Sequence, residues 1–103
     1  IKIMFINEPM KIKGVDVLVE YNMRALLMYK KFSGQSFNPD NLEDFCFPKT
    51  LEGLCKLLYC CVVIGTSDFD ITYEEFIDEL GKFQSPYVVL SEFIDFLNAM
   101  KEV

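Results

Sequence analysis

The stretch Leu57–Ile64 (LLYCCVVI) is apolar at each of its eight positions, with a helix-start signal at Thr50 and a stop at Gly65. A helix that is greasy on every side has no face to give to water, so other elements must wrap it. A chain of 103 residues can build such a wrapping once. The sequence therefore predicts a single domain over residues 1–103, organised around a central helix, Thr50–Ile64.

Hydrophobic residues make up 51% of the chain and the mean hydropathy is +0.21, with ten Phe and five Tyr as large anchors. That excludes disorder and leans toward more apolar surface than one small core needs. The eight-residue run is far short of the roughly 18 a membrane span requires. Ile1–Ile6 is also shorter than a secretory h-region. No membrane segment is expected.

The elements follow from local signals. Ile1–Ile6 alternates and ends at Asn7-Glu8-Pro9, Met10–Lys13 alternates up to Gly14, and Val15, Val17 and Val19 alternate with Asp16, Leu18 and Glu20. Three short strands in a small antiparallel sheet are expected over residues 1–21. A helical part, 22–103, follows. Asn22 caps a helix that runs to Phe32 or Ser33, with Gly34 as its stop and Lys30 and Lys31 in its last turn. Ala25, Leu26, Met28, Tyr29 and Phe32 form its apolar arc. Met23 and Leu27 fall on the other side, among Arg24, Lys30 and Lys31; either the sheet covers them or they form a partner-facing spot with a basic rim.

Gln35–Lys49 is a long connection carrying Phe37, Leu42, Phe45 and Phe47, with Asn41 placed to cap one short helical turn. It is either pinned to the core by its phenylalanines or used for binding. Thr72-Tyr73-Glu74-Glu75 is a capping box opening an acidic helix with Tyr73, Phe76, Ile77 and Leu80 inward, ending at Gly81. Ser85-Pro86 opens the last helix, whose stripe reads Tyr87, Leu90, Phe93 or Ile94, Leu97 and Met100. Val89 and Phe96 lie off that stripe, which gives either a second contact face or a differently placed stripe. The fold class is thus α+β: a small N-terminal antiparallel sheet followed by about four helices packed around the central apolar helix.

Charge is unevenly divided. Residues 1–34 hold Lys2, Lys11, Lys13, Arg24, Lys30 and Lys31 against Glu8, Asp16 and Glu20, whereas the remainder sets four lysines against thirteen acids for a net of −6 overall. An acidic chain lacks the clustered positive charge that phosphate contacts need, so nucleic acid is not the expected partner. The basic third can meet an acidic partner, or the acidic part of a second copy.

Chemistry-bearing motifs are sparse. Cys55, Cys60 and Cys61 share one helix, two of them adjacent, and with Cys46 they read as free thiols used as small hydrophobes in a reducing compartment. No cysteine pair has metal spacing, there is no His, and neither a metal nor a cofactor is expected. Asp68–Phe76 resembles the end of a calcium loop, but with Glu75 at the twelfth position the first and third become Ile64 and Thr66, and Phe69 replaces the turn glycine. A capped helix explains the same letters. Glu74/Asp78 and Glu75/Glu79 lie four apart on a solvated helix face, outside any cleft that would tune them for acid–base work. No base stands ready for a cysteine nucleophile. The residues predict a non-enzymatic interaction module.

Val19-Glu20-Tyr21-Asn22-Met23-Arg24-Ala25-Leu26-Leu27, followed by Tyr29 and by Phe32-Ser33-Gly34-Gln35-Ser36-Phe37, resembles the small bacteriophage and prophage tail assembly chaperones. Leu57-Leu58-Tyr59 matches their apolar leucine-leucine-tyrosine helix, and the two acidic amphipathic helices at the end match their layout. The likeness runs from about Val17 to Met100, while the stretch before Val15 departs from shorter members. The resemblance implies a cytoplasmic role in the host cell: binding the hydrophobic tape measure protein, or another phage tail component, during tail assembly. The alternative is a homo-oligomeric structural or adaptor protein of a phage particle. Candidate protein-binding residues on this reading are Met23, Leu27, Phe37, Phe45 and Phe96, with Arg24, Lys30 and Lys31 as a charged rim.

Overall fold

The computed structural model of the chain describes residues 11–34, 36–82 and 85–101. The predicted strand at Ile1–Ile6 lies outside them. A two-stranded antiparallel sheet is followed by five α-helices, and the described chain is an α+β fold with a radius of gyration of 12.9 Å.

Strands β1 (Lys11–Ile12) and β2 (Val15–Asp16) pair Lys11 with Asp16 and Ile12 with Val15. The two-residue turn between them has positive φ at both Lys13 (53°) and Gly14 (76°), the geometry whose twist suits a hairpin. Glycine takes that conformation freely, and Lys13 is compensated by an ion pair to Glu75.

The alternation of Val15–Glu20 is correct in phase but not in partner. Val17 and Val19 are fully buried, yet the strand stops at Asp16. Beyond it the backbone lies along the end of a helix: the Leu18 N–H donates to Thr66 Oγ1 at 3.1 Å and the Glu20 N–H to the Cys61 carbonyl at 3.1 Å. An extended segment needs its amides satisfied, and here a helix terminus does this in place of a neighbouring strand.

Helix α1 (Met23–Ser33) begins where Asn22 accepts a hydrogen bond from the Ala25 N–H and stops at Gly34, whose φ of 71° is the left-handed C′ geometry. Ala25 and Tyr29, four apart, face the core. After a 3₁₀ turn at Pro39–Asn41 comes α2 (Leu42–Cys46). The capping side chain is Asn38, which accepts from the Asp40 N–H at 3.0 Å; Asn41, expected in that role, makes no side-chain cap bond.

Helix α3 (Leu51–Gly65) is the hub. Thr50 caps it, and Leu57, Leu58, Tyr59, Cys60, Cys61 and Val62 are buried in unbroken succession, as an all-round apolar helix demands. Glycines at its two ends permit close approach. A Cβ on Gly53 would stand 2.8 Å from the Pro48 side chain, and one on Gly65 only 2.4 Å from the Leu18 carbonyl oxygen.

Helix α4 (Tyr73–Leu80) carries the predicted capping box, with Thr72 and Glu75 bonded reciprocally and Phe76 and Leu80 buried. The Tyr59 hydroxyl donates to the Ile71 carbonyl at 2.6 Å and fixes the loop before it. Helix α5 (Pro86–Lys101) corrects the expected stripe. Val89, Phe93 and Leu97 point inward and Phe96 stacks on Phe93, while Tyr87 is 78% exposed and Ile94 faces out. Val89 and Phe96 are thus part of the inward row and not a second contact face.

Glu75 accepts from both Thr72 and Lys13, which holds its carboxyl at about 2. Contact with lysines likewise lowers Glu43 (Lys101) and Glu52 (Lys56). A carboxylate that titrates lower folded than unfolded stabilises the fold above its unfolded value, about 4.3, and loses that contribution as pH falls toward the folded one. We expect the melting temperature to hold down to about pH 5 and to fall between about 4.5 and 2. In Glu75→Gln the fall should be shallower, from a lower starting point at pH 7, in thermal melts across that range. Glu75 is 45% exposed, so added salt should shrink the difference between the two proteins.

Candidate protein-binding groove

Between α1 and the segment 36–46 lies a groove of about 380 Å³, lined by Met23, Leu26, Leu27, Lys30, Phe37, Leu42, Phe45 and Cys46. Its walls present no exposed polar atom to the space between them.

Each wall is positioned by the core behind it. On α1, Ala25 and Tyr29 are held inward, and this turns Met23 and Leu27 to the far side, where they are 68% and 56% exposed. The sheet does not cover them. On the opposite wall Phe45 is the pivot. It is buried against Tyr29 with ring centroids 5.6 Å apart, and Phe37 meets it edge-on at 5.4 Å. The end of α2 is clamped from outside: the Tyr21 hydroxyl donates to the Cys46 carbonyl at 2.7 Å, Tyr21 stacks on Phe47, and Lys101 reaches from α5 to both Glu43 and the Phe47 ring. Phe37 and Leu42 remain exposed on this wall. The connection thus does two jobs: Phe45 and Phe47 pin it down, and Phe37 and Leu42 face the groove.

Five of the sequence-predicted residues meet here: Met23, Leu27, Lys30, Phe37 and Phe45. Arg24 and Lys31 sit on the exposed face of α1 beside Leu27. Phe96 is not brought to this site; it is half-buried against the core. Leu26, Leu42 and Cys46 also line the groove, beyond the residues the sequence marks for binding. The signal for Leu42 was its place in a helical turn with Phe45, three residues on.

The electrostatics of the rim are distinctive. Lys11, Lys13, Lys49, Lys56, Lys82 and Lys101 each hold a carboxylate. Among the described residues, Arg24, Lys30 and Lys31 hold none, and α1 contains no acid. The described cations without an ion pair are therefore gathered on the helix that forms one wall.

All four cysteines are free. Burial pushes the Cys60 thiol up to about 12 and Cys61 higher still, and it raises Cys46 and Cys55 as well. These thiols are protonated at neutral pH and weak as nucleophiles. Every other resolved shift among the described residues also leads away from neutrality: burial raises Tyr21, Tyr29, Tyr59 and Tyr73, ion pairing raises Lys13, and three glutamates are lowered. General acid–base chemistry favours a group near the working pH. What this arrangement offers is an open apolar cleft beside a basic helix face. No described helix is long and apolar enough to cross a membrane. No family model matches the chain, and neither a curated protein nor a solved structure is detectably similar to it.

Proposed function

We propose that this protein is a non-enzymatic phage or prophage tail assembly chaperone, which binds an apolar segment of the tape measure protein in the host cytoplasm during tail assembly. The observation that carries the reading is the groove: Met23, Leu27, Phe37 and Leu42 stand exposed around a polar-free cleft whose floor is locked by Tyr29 and Phe45. The link to tails rests on the sequence resemblance from Val17 to Met100. A tape measure protein is long and sticky, and its chaperone must cover apolar side chains without being reshaped by them. Each large side chain fully buried contributes roughly 1.5–3 kcal/mol before the costs of association. A wall fixed by stacked rings keeps the ordering part of those costs low.

A homo-oligomeric structural or adaptor role is the second reading, and it is favoured by the outward Tyr87 and Ile94 on α5. Co-expression separates the two. A chaperone should carry a tape measure fragment into the soluble fraction, and Leu27→Asp should abolish that rescue while melting like the parent. No rescue by the parent protein, with rings or tubes in light scattering, overturns the chaperone reading.

A further inference from the structure

We propose that the groove receives an amphipathic α-helix of another polypeptide, one whose apolar row is flanked by carboxylates. The inference rests on the groove being the client site and adds the client's chemistry. Two observations carry it.

The first is what the walls lack. A strand docked in the groove would bury amides and carbonyls against surfaces that expose no polar atom, and each unsatisfied group costs about 1–3 kcal/mol. A helix brings its backbone hydrogen bonds with it. It needs only side chains at i, i+3 or i+4 and i+7 to fill an apolar cleft, the helix-in-groove mode of recognition. A cleft of about 380 Å³ takes a few such side chains and not a folded domain.

The second is the charge beside it. Lys30 closes one wall, and Arg24 and Lys31, seven apart and so two turns along the same face of α1, stand on either side of Leu27 in the sequence. With no acid on α1 and no ion pair at these three among the described residues, their charge is left open to an incoming partner. Carboxylates one or two turns apart beside the apolar row of an incoming helix meet that need. The chain's own acidic helix α4 cannot serve as the insert in a second copy, because its large apolar residues Phe76 and Leu80 are already buried; the outward pair Tyr87 and Ile94 on α5 is what the dimer outcome of the test addresses.

The test uses two capped, dye-labelled synthetic peptides of about 18 residues, long enough to hold helix on a surface. Both carry the same leucine row; one is flanked by glutamates and the other by lysines. Fluorescence anisotropy should show the glutamate peptide binding about ten-fold tighter, with the gap closing as salt rises. The double variant Arg24→Glu/Lys31→Glu, both at exposed positions, should invert the preference. Leu27→Asp should remove binding of both peptides. Equal affinities, or a preference for the lysine peptide, overturn the inference and leave the apolar-client reading standing. Glutamate-peptide binding with no tape measure rescue does the opposite. A concentration-dependent dimer abolished by Leu27→Asp, with neither peptide bound, overturns both in favour of a second copy.

Discussion

Gly65→Ala should lower the melting temperature by about 10–20 °C, a loss of roughly 2–3 kcal/mol in a domain of this size. At most helical positions this change helps, because alanine is the better helix former. Here the new Cβ would stand 2.4 Å from the Leu18 carbonyl oxygen and 3.0 Å from the Glu20 nitrogen, and both are backbone atoms with no rotamer to yield. Relief requires the segment Val17–Glu20 to lift off α3. That loosens the Glu20–Cys61 hydrogen bond and the Leu18–Thr66 bond together, and it uncovers two fully buried valines. Gly81→Ala is the control, since its nearest contact would be 3.4 Å away and its φ of −64° suits alanine. Thermal melts followed by circular dichroism decide it. A Gly65→Ala protein that melts with the parent would mean that α3 and Val17–Glu20 are not in contact.

Tyr29→Ala should cost about 3–5 kcal/mol and should also abolish binding in the groove. Tyr29 is 1% exposed between α1 and α3, so the cavity left by its ring cannot fill from solvent-facing groups. Its ring also supports Phe45, which in turn supports Phe37. Removing it takes the floor from under one wall of the groove. Tyr29→Phe keeps the ring and should retain both stability and binding. The contrast with Leu27→Asp is the informative one: an exposed change should remove binding at unchanged melting temperature, whereas Tyr29→Ala should lose both, measured by urea denaturation and peptide titration below the melting point. Binding by a folded Tyr29→Ala protein would show that the stacked rings do not position the site.

Most elements could be read from the chain because their signals are local. Asn22 and Gly34, Thr50, and the Thr72/Glu75 box bracket their helices as expected, since a cap is settled within four residues by its own hydrogen bonds. The central helix was legible for another reason: a run without a polar side leaves only one environment open to it. What stayed hidden depends on distant partners. The Val15–Glu20 alternation fixes which valines turn inward, but nothing in it tells a strand neighbour from a helix end. On α5, Tyr87–Ile94 and Val89–Phe93–Leu97 are both acceptable helical rows, and the choice belongs to whatever α5 packs against. The groove was half legible. Met23 and Leu27 stand out as apolar residues in a charged arc, whereas Leu42 and Cys46 join them only because the connection folds back over α1.

The Leu18–Thr66 hydrogen bond joins residues 48 apart in the sequence. A nascent chain leaves the ribosome N-terminus first, so the valines of this segment emerge well before the helix that shelters them. Until Thr66 has cleared the exit tunnel they have no native place to go, and the hairpin before them has nothing to rest on. Synthesis order therefore leaves this segment without its native hydrogen-bond partner until the second half of the chain arrives.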